Sequence, residues 1–196
     1  MLRVLIVLAV IVAALLRGGS LRGFAALKVR AVPLVLGSLL IQLLIFPLAG
    51  DRPVVAALTV PLYLLSMLLL VAWVWLNRRL PGIVLIGAGV VMNLAAIAAN
   101  GGYMPINPDA AAYAGALERY ADSAVDNNSL ASYDARLWML TDIFPVPAGF
   151  PFATVYSLGD ILLTTGVSIL CYRTMTARLE PMITKGAQDE HSAAAA

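Results

Sequence analysis

Asp160 is the residue in this sequence most able to do chemistry, because it is an acid inside an otherwise apolar run. Ser157 precedes it, and Thr164 and Ser168 follow it, at a 3-4-4 spacing that places all four polar side chains on one stripe of a helix. A carboxylate at the centre of a membrane helix costs about 2.5–3.5 kcal/mol on insertion and usually faces protein or water. The presence of Asp160 therefore predicts either a close contact between two helices or a small polar binding site.

The preceding apolar run supplies a second stripe, at a 4-3-4 spacing: Gly89, Asn93, Ala96 and Asn100. Asn93 and Asp160 each lie about six residues, roughly 9 Å, below the outer end of their predicted helices, so we expect them at one level. One interpretation is structural: small residues let the helices approach, and the Asn93 amide satisfies Asp160. The other is a polar site, open to the outside, for a cation, a lipid headgroup or a solute.

Catalysis by Asp160 would need a second acid. Ser157-Leu158-Gly159-Asp160 resembles the Gly-Leu-Gly-Asp type of sequence in intramembrane aspartic peptidases, with Ser in place of the first Gly. That chemistry uses two carboxylates that share a proton, so that one can activate water. Asp142, in the predicted outer loop, is the candidate partner, and no other predicted span contains an acid. The peptidase is therefore the least favoured of the three interpretations, and no catalytic residue is assigned.

The composition points to lipid as the main solvent. Of 196 residues, 61% are hydrophobic and 12% are charged, and the mean hydropathy is +0.89, whereas a soluble domain is about half apolar and a quarter charged. A net charge of +2 gives no argument for nucleic acid. One cysteine (Cys171) and one histidine (His191, in a polar tail) exclude a His/Cys metal cluster and a disulfide framework, and we predict no cofactor.

Apolar runs of bilayer length predict five transmembrane helices in a single domain, 1–185. The fold class is all-α: a five-helix transmembrane bundle with a mostly helical or irregular extracytoplasmic loop over 100–152. Residues 186–196 are predicted to be a disordered cytoplasmic tail. The first span is the shortest, and its Arg17-Gly18-Gly19 exit is a poor signal-peptide cleavage site. The predicted spans cover about 2–16, 32–49, 54–76, 82–99 and 154–172.

The distribution of basic residues predicts the orientation. With five spans, the segments 17–31, 77–81 and 173–196 share one side and carry nine Lys and Arg, while the other side carries four. The positive-inside rule then puts the N-terminus outside and the C-terminus in the cytoplasm of a multi-pass plasma-membrane protein. The outer loop has six acidic residues and two arginines. Within it, Asn107-Pro108 predicts a capped short helix, and 132–140 predicts a second one.

Five segments, in this order, resemble a family of small bacterial membrane proteins known as domain of unknown function 5317. The first two are Arg17-Gly18-Gly19 and the run from Leu76 to Gly82. The others are the run from Asn100 to Ile106, the run from Arg136 to Pro145, and Ser157-Leu158-Gly159-Asp160. This chain departs from the family in a longer 110–132 segment and in Thr141, where glycine is expected before the Asp.

The resemblance implies a shared fold and a set of residues at the outer face, but no activity, substrate or cofactor. Asn100-Gly101-Gly102 is physically suited to a sharp helix exit, and we consider an ion pair between Arg136 and Asp142. The implied set comprises Asn93, Asn100, Gly101, Gly102, Met104, Pro105, Asp142, Ser157, Gly159 and Asp160.

Two classes of function follow from these observations. The leading prediction is a non-enzymatic accessory or scaffold subunit that packs in a larger membrane assembly or with copies of itself, because small-residue stripes favour helix packing. The alternative is binding or transport of a small ligand, ion or lipid at an outer-face polar site around Asn93 and Asp160. The expected partners are the lipid bilayer and membrane proteins.

Overall fold

The structure is a computed structural model, and it describes residues 2–45, 58–118 and 129–177. These residues are mostly helical, as the composition predicts. The helices are α1 Leu2–Leu16, α2 Arg22–Ala26, α3 Val32–Ile45, α4 Thr59–Leu76, α5 Ile83–Ala99, α6 Pro108–Tyr113 and α7 Leu158–Thr176. The predicted span ends at 46–49 and 54–57 and the predicted tail at 186–196 lie outside the described residues.

The long helices pack in the order α3, α4, α5, α7, α1. The α1 and α7 helices run in the same direction, because Arg3 contacts Asp160 and the Ser20 N–H donates to the Met175 carbonyl. The α5 helix runs opposite to α7. One end of the group therefore holds the first turns of α1 and α7 and the last turns of α5.

Two glycine pairs bring α5 and α7 into close contact. A Cβ on Gly89 would collide with the Gly159 carbonyl oxygen, and a Cβ on Gly166 would lie 2.7 Å from the Gly82 carbonyl oxygen. Small residues at such positions let helix backbones approach, which is how helices associate where lipid removes the hydrophobic driving force. The small-residue stripe of the sequence thus lies at a real contact between helices.

The α7 helix begins later than predicted. The span was placed at 154–172, but Val155–Tyr156 form a short strand and Ser157 caps the helix by accepting a hydrogen bond from the Asp160 N–H at 3.0 Å. A serine side chain is a strong N-cap, so it fixes the start of the helix. Asp160 therefore lies in the first turn of α7, where the helix dipole favours an anion, and not six residues below the end.

The segment 100–152, predicted to be an outer loop, contains short strands that the sequence did not predict. Strand β1 (Met104–Ile106) pairs in parallel with β2 (Ser129–Ala131), and β3 (Phe144–Pro145) pairs antiparallel with β4 (Val155–Tyr156). Met104 packs on Ala96 and Ile97 of α5. The α6 helix occurs where Asn107 predicts it, since the Asn107 side chain accepts from the Ala110 N–H at 2.9 Å.

The second predicted loop helix, over 132–140, is wrong. Its sole regular element is a 3-10 turn at Trp138–Leu140. The Asn100 side chain bonds both the backbone N–H and the backbone carbonyl of Arg136, each at 2.8 Å. Those two groups would otherwise be available to helical hydrogen bonds. In addition, Leu137 takes a left-handed conformation (φ +53°), which interrupts an α-helix.

Among the described residues, one helix, Thr59–Leu76, is both long and apolar enough to cross a membrane. Three shorter apolar helices accompany it, Leu2–Leu16, Val32–Ile45 and Ile83–Ala99. Large apolar side chains on α1, α3 and α4 are exposed. These features give weak support for membrane association.

Candidate functional site

Asn93, Ser157 and Asp160 form one buried hydrogen-bonded group at the α5–α7 contact. The Asn93 amide donates to Asp160 Oδ1 at 3.1 Å, and the Ser157 hydroxyl donates to Asn93 Oδ1 at 2.9 Å. Ser157 Oγ in turn accepts the Asp160 N–H. The amide thus uses both of its ends, one as donor and one as acceptor. The structure brings these three residues of the predicted site together.

Arg3 completes this group and was not predicted to belong to it. Its Nη1 lies 2.6 Å from Asp160 Oδ1, and its guanidinium lies 5.5 Å from the centroid of the Tyr156 ring. The Arg3 side chain is 48% exposed, whereas that of Asp160 is 12% exposed. An acid with so little access to water is normally paired, so a basic partner was to be expected. The sequence signal was the arginine in the first turn of the first span.

Asp142 lies in the loop and is 8% exposed. Its backbone pairs with β1: its N–H donates to the Pro105 carbonyl at 3.0 Å and its carbonyl accepts from the Asn107 N–H at 2.9 Å. Its Oδ1 atom has no hydrogen-bond partner among the described residues. Burial, and then the negative charge of Asp160, raise the pKa of Asp142 well above its usual range. Those effects favour the protonated acid.

Five of the remaining predicted residues build the end of α5 and the segment that follows it: Asn100, Gly101, Gly102, Met104 and Pro105. Asn100 ends α5 and donates to the Ala96 carbonyl at 2.7 Å, besides its two bonds to Arg136. Gly101 and Gly102 have positive φ angles of 70° and 94°, which side chains rarely adopt. The Arg136–Asp142 ion pair that we considered is not formed, since Arg3–Asp160 is the salt bridge found among the described residues. Met104 and Pro105 form β1.

A cavity of about 480 Å³ lies between α1 and α7, beside the ion pair. Arg3, Tyr156 and Asp160 line one end, and Val10 and Ser168 line the wall toward the other. From Asp160 to Ser168 the helix rises about 12 Å. The Ser168 hydroxyl is buried and has no hydrogen-bond partner in the described part of the chain. The cavity is thus mostly apolar, with a charged end, and its volume is that of a small-ligand site.

The contacts of Asp160 are not those of an aspartic dyad. Residues 2–45, 58–118 and 129–177 contain no group of three or more His, Cys, Asp or Glu residues suited to a metal ion. No hydrogen bond is found between the carboxylates of Asp142 and Asp160. An aspartic dyad needs two carboxyl groups that share a proton, whereas Oδ1 of Asp160 is bonded to Arg3 and Asn93.

Comparison with known proteins places the chain in a family. The search of curated proteins and the search of solved structures each gave no match. A family model described as a family of unknown function, DUF5317, matches residues 26–172, which include Asn93, Asp142 and Asp160 and exclude Arg3. Because the match covers more than half of the chain, the protein belongs to the DUF5317 family.

Proposed function

We propose that this protein is a non-enzymatic plasma-membrane protein of five spanning helices, and that its outer end binds a small anionic amphiphile. The amphiphile has a carboxylate or phosphate head and a single apolar chain. The observation that carries the proposal is the Arg3–Asp160 ion pair at one end of the apolar α1–α7 cavity. In this proposal, "outer end" means the end of the helix bundle near Asn93, Asp142 and Asp160. "Cytoplasmic end" means the opposite end, where α7 finishes.

Helix exposure and helix direction support the membrane part of the proposal. In α4, 11% of the residues are buried in the protein, so its apolar side chains need another apolar surround. The α4 helix starts beside the last turns of α5, since Tyr63 packs near Ala96 and Ile97. Successive long helices thus point in opposite directions, as in a chain that crosses a bilayer repeatedly. The basic residues at the ends support the orientation with the N-terminus outside.

The chemistry of Arg3 favours an anionic head. A guanidinium has five N–H donors, and the structure gives Arg3 one hydrogen bond, to Asp160. Half of the side chain is exposed beside the cavity, so other donors can reach a ligand oxygen in a two-pronged arrangement. The apolar wall suits a chain, since each buried methylene contributes about 0.8 kcal/mol. Asp160 in this proposal orients Arg3 and does no catalysis.

The test uses the purified full chain in lipid nanodiscs and two photoreactive amphiphiles that differ in their heads. One is a dodecanoate that carries a diazirine in its chain, and the other is the matching dodecylamine. Peptide mass spectrometry locates the labelled residues. We expect the carboxylate probe to label α1 and α7 near Ile6 and Ile161, and the amine to label them at least tenfold less. Equal labelling by both heads would refute the proposal.

A matched pair of variants isolates the contribution of Arg3. Arg3→Gln removes the charge at the cavity, and we expect labelling to fall about tenfold or more, because hydrogen bonds to charged groups contribute about 1.5–3 kcal/mol. Arg136→Gln removes a second outer arginine that does not line this cavity, and it should leave labelling unchanged. If both variants label like the wild type, the binding proposal is wrong while the membrane topology is unaffected.

An accessory or scaffold role remains the second candidate. The observation in its favour is the row of exposed leucines on α3, which includes Leu36, Leu40 and Leu44. Such a face fits a partner helix as well as lipid. Chemical crosslinking in native membranes tests it, with cysteines introduced singly at Leu40 and at Val84, an exposed position on α5. A scaffold is supported if Leu40→Cys, but not Val84→Cys, gives a discrete crosslinked species of fixed stoichiometry. It is opposed if Leu40→Cys reacts with lipid probes and gives no such species.

A further inference from the structure

A second cavity, of about 380 Å³, lies at the end of α4 away from Asp160, and its lining is basic. Four cations line it, together with a buried asparagine at the end of α4 and two leucines. The cations are Lys28, Arg30, Arg78 and Arg79, and the other residues are Leu76, Asn77 and Leu80. The run from Leu76 to Gly82, one of the five segments that carry the family resemblance, thus lies at this cavity. The proposed function does not use it.

Asn77 builds this cavity by joining two segments that are distant in sequence. Its side chain accepts from the Arg30 N–H at 2.8 Å and donates to the Arg30 carbonyl at 3.0 Å. It also donates to the Trp73 carbonyl at 2.8 Å. The segment with Lys28 and Arg30 is therefore fixed beside Arg78 at the end of α4. Because the asparagine is fully bonded and 4% exposed, its role is to position the cations.

None of the four cations has a carboxylate partner among the residues that the structure describes. Arg3–Asp160 is the salt bridge found within 2–45, 58–118 and 129–177, and none of the four takes part in it. Like charges gathered around one space repel each other, and an anion between them removes the repulsion. The cavity lies between the last residue of α4, Leu76, and the start of α5 at Ile83. The negative end of one helix dipole and the positive end of the other therefore largely offset each other there, and the positive charge of the cavity comes from the four cations.

The surroundings of the cavity are those of a membrane interface. Trp75 is 69% exposed, and the Arg78 guanidinium lies 5.5 Å from the centroid of its ring. Exposed tryptophan beside arginine, at the end of an apolar helix, is typical of the headgroup level. A soluble anion would make no use of the apolar flank formed by Trp75 and Leu76, whereas a lipid would place its glycerol and first methylenes there.

We propose that this cavity binds the phosphate of an anionic phospholipid headgroup in the cytoplasmic leaflet. Basic cavities between helices on the cytoplasmic side are suited to such headgroups. The ligand chemistry is a phosphate monoanion with neighbouring hydroxyl groups, held by paired Arg and Lys donors. The proposal requires the chain to lie in a membrane, but it is independent of any ligand in the α1–α7 cavity.

The test measures quenching of tryptophan fluorescence by brominated lipids. The full chain is reconstituted in phosphatidylcholine nanodiscs that contain either brominated phosphatidylglycerol or brominated phosphatidylcholine at equal mole fraction. In the wild type we expect the brominated anionic lipid to occupy the site about fivefold or more in excess of its bulk fraction, because each nearby basic residue contributes about 1 kcal/mol. Equal quenching by the two lipids would overturn the proposal.

Charge-matched double variants give the control. Arg78→Gln with Arg79→Gln should abolish the preference for the anionic lipid, and Lys28→Gln with Arg30→Gln should do the same from the other segment. Arg17→Gln with Arg22→Gln removes two charges on the same side but outside the cavity, and it should keep most of the preference. If all three pairs lose it equally, the effect is general surface charge and the site is refuted.

A soluble-anion arm separates the two sources of phosphate. Inorganic phosphate at 10 mM is added to the wild-type nanodiscs at an ionic strength matched with chloride. A lipid site predicts unchanged quenching by the anionic lipid. Loss of the quenching with phosphate but not with chloride would show that the cavity takes a free anion, and the lipid assignment would be wrong. Circular dichroism of each variant confirms that it folds.

Discussion

Replacing Gly159 by alanine tests the close contact of α5 and α7 on which the site depends. A Cβ at Gly159 would collide with Asn93 Oδ1 and would lie 2.8 Å from the Gly89 carbonyl oxygen and 2.7 Å from Asn93 Cγ. The carbonyl is backbone in the middle of a helix and has little freedom to move. The Asn93 side chain therefore has to leave its position, and with it go its bonds to Ser157 and Asp160.

The size of the effect can be estimated from these contacts. An interhelical hydrogen bond in a membrane protein contributes about 0.6 kcal/mol on average, and inserting a methyl group into a packed contact costs about 1–3 kcal/mol. Two lost bonds and one overpacked contact together predict a decrease of about 2–4 kcal/mol in the free energy of unfolding.

Unfolding by sodium dodecyl sulfate in mixed micelles measures this difference, with helicity followed by circular dichroism. Gly149→Ala is the matched control, because a Cβ at Gly149 has no heavy atom within 4 Å. We expect Gly149→Ala to unfold like the wild type. If Gly159→Ala also unfolds within about 1 kcal/mol of the wild type, less than the overpacking alone predicts, the helices do not approach as described and the geometry of the site is wrong.

Two further predictions follow from single side chains. The pKa of Asp142 is raised in the folded protein, so folding stability falls as the pH rises above about 4, the ordinary pKa of the acid. Asp142→Asn should flatten this decline and be more stable than the wild type at pH 8, as measured by thermal unfolding at several pH values; a parallel decline in the variant would contradict the shift. Asn77→Ala removes the three hydrogen bonds of a buried side chain and should lower the free energy of unfolding by about 2–4 kcal/mol, in proportion to the bonds lost. Asn77→Asp keeps the acceptor for the Arg30 N–H, so the amide of Arg30 should lose less protection from hydrogen exchange in this variant than in Asn77→Ala. Unchanged protection of that amide in Asn77→Ala would contradict the positioning role.

Apolar run length and small-residue spacing predict much of the helical frame. Both are local properties of the chain, so α1 and the limits of α5 follow from the sequence to within a residue. The spacing argument also puts Asn93 and Asp160 on facing stripes, and the structure joins them by a hydrogen bond. The depth assigned to Asp160 was wrong, because an apolar run does not reveal that Ser157 caps the helix and that Tyr156 lies in a strand.

Contacts between segments that are distant in the chain could not be predicted from such local properties. Arg3 and Asp160 are 157 positions apart, and their contact depends on which neighbour α1 packs against, which hydropathy does not specify. The three-residue strand β1 contains Pro105 and has no alternating pattern, so nothing local marks it as a strand. The side-chain bonds from Asn100 to Arg136 overrode the helical tendency of 132–140, and these too bridge separate parts of the chain.

The α1 helix packs along α7, and the two ends of this contact are held by different kinds of interaction. At the end away from Asp160 the segment after α1 is held through backbone, with Ser20 bonded to Met175 and Gly23 packed directly on the Thr174 carbonyl. At the Asp160 end the contact is the ion pair of Arg3, whose side chain is half in solvent and also lies over the Tyr156 ring. That end is the more sensitive to salt, because salt screens exposed charges over about 8 Å at physiological ionic strength. The strength of this ion pair, and with it the attachment of α1 to α7 at the Asp160 end, should therefore fall as the ionic strength of the surrounding solution rises.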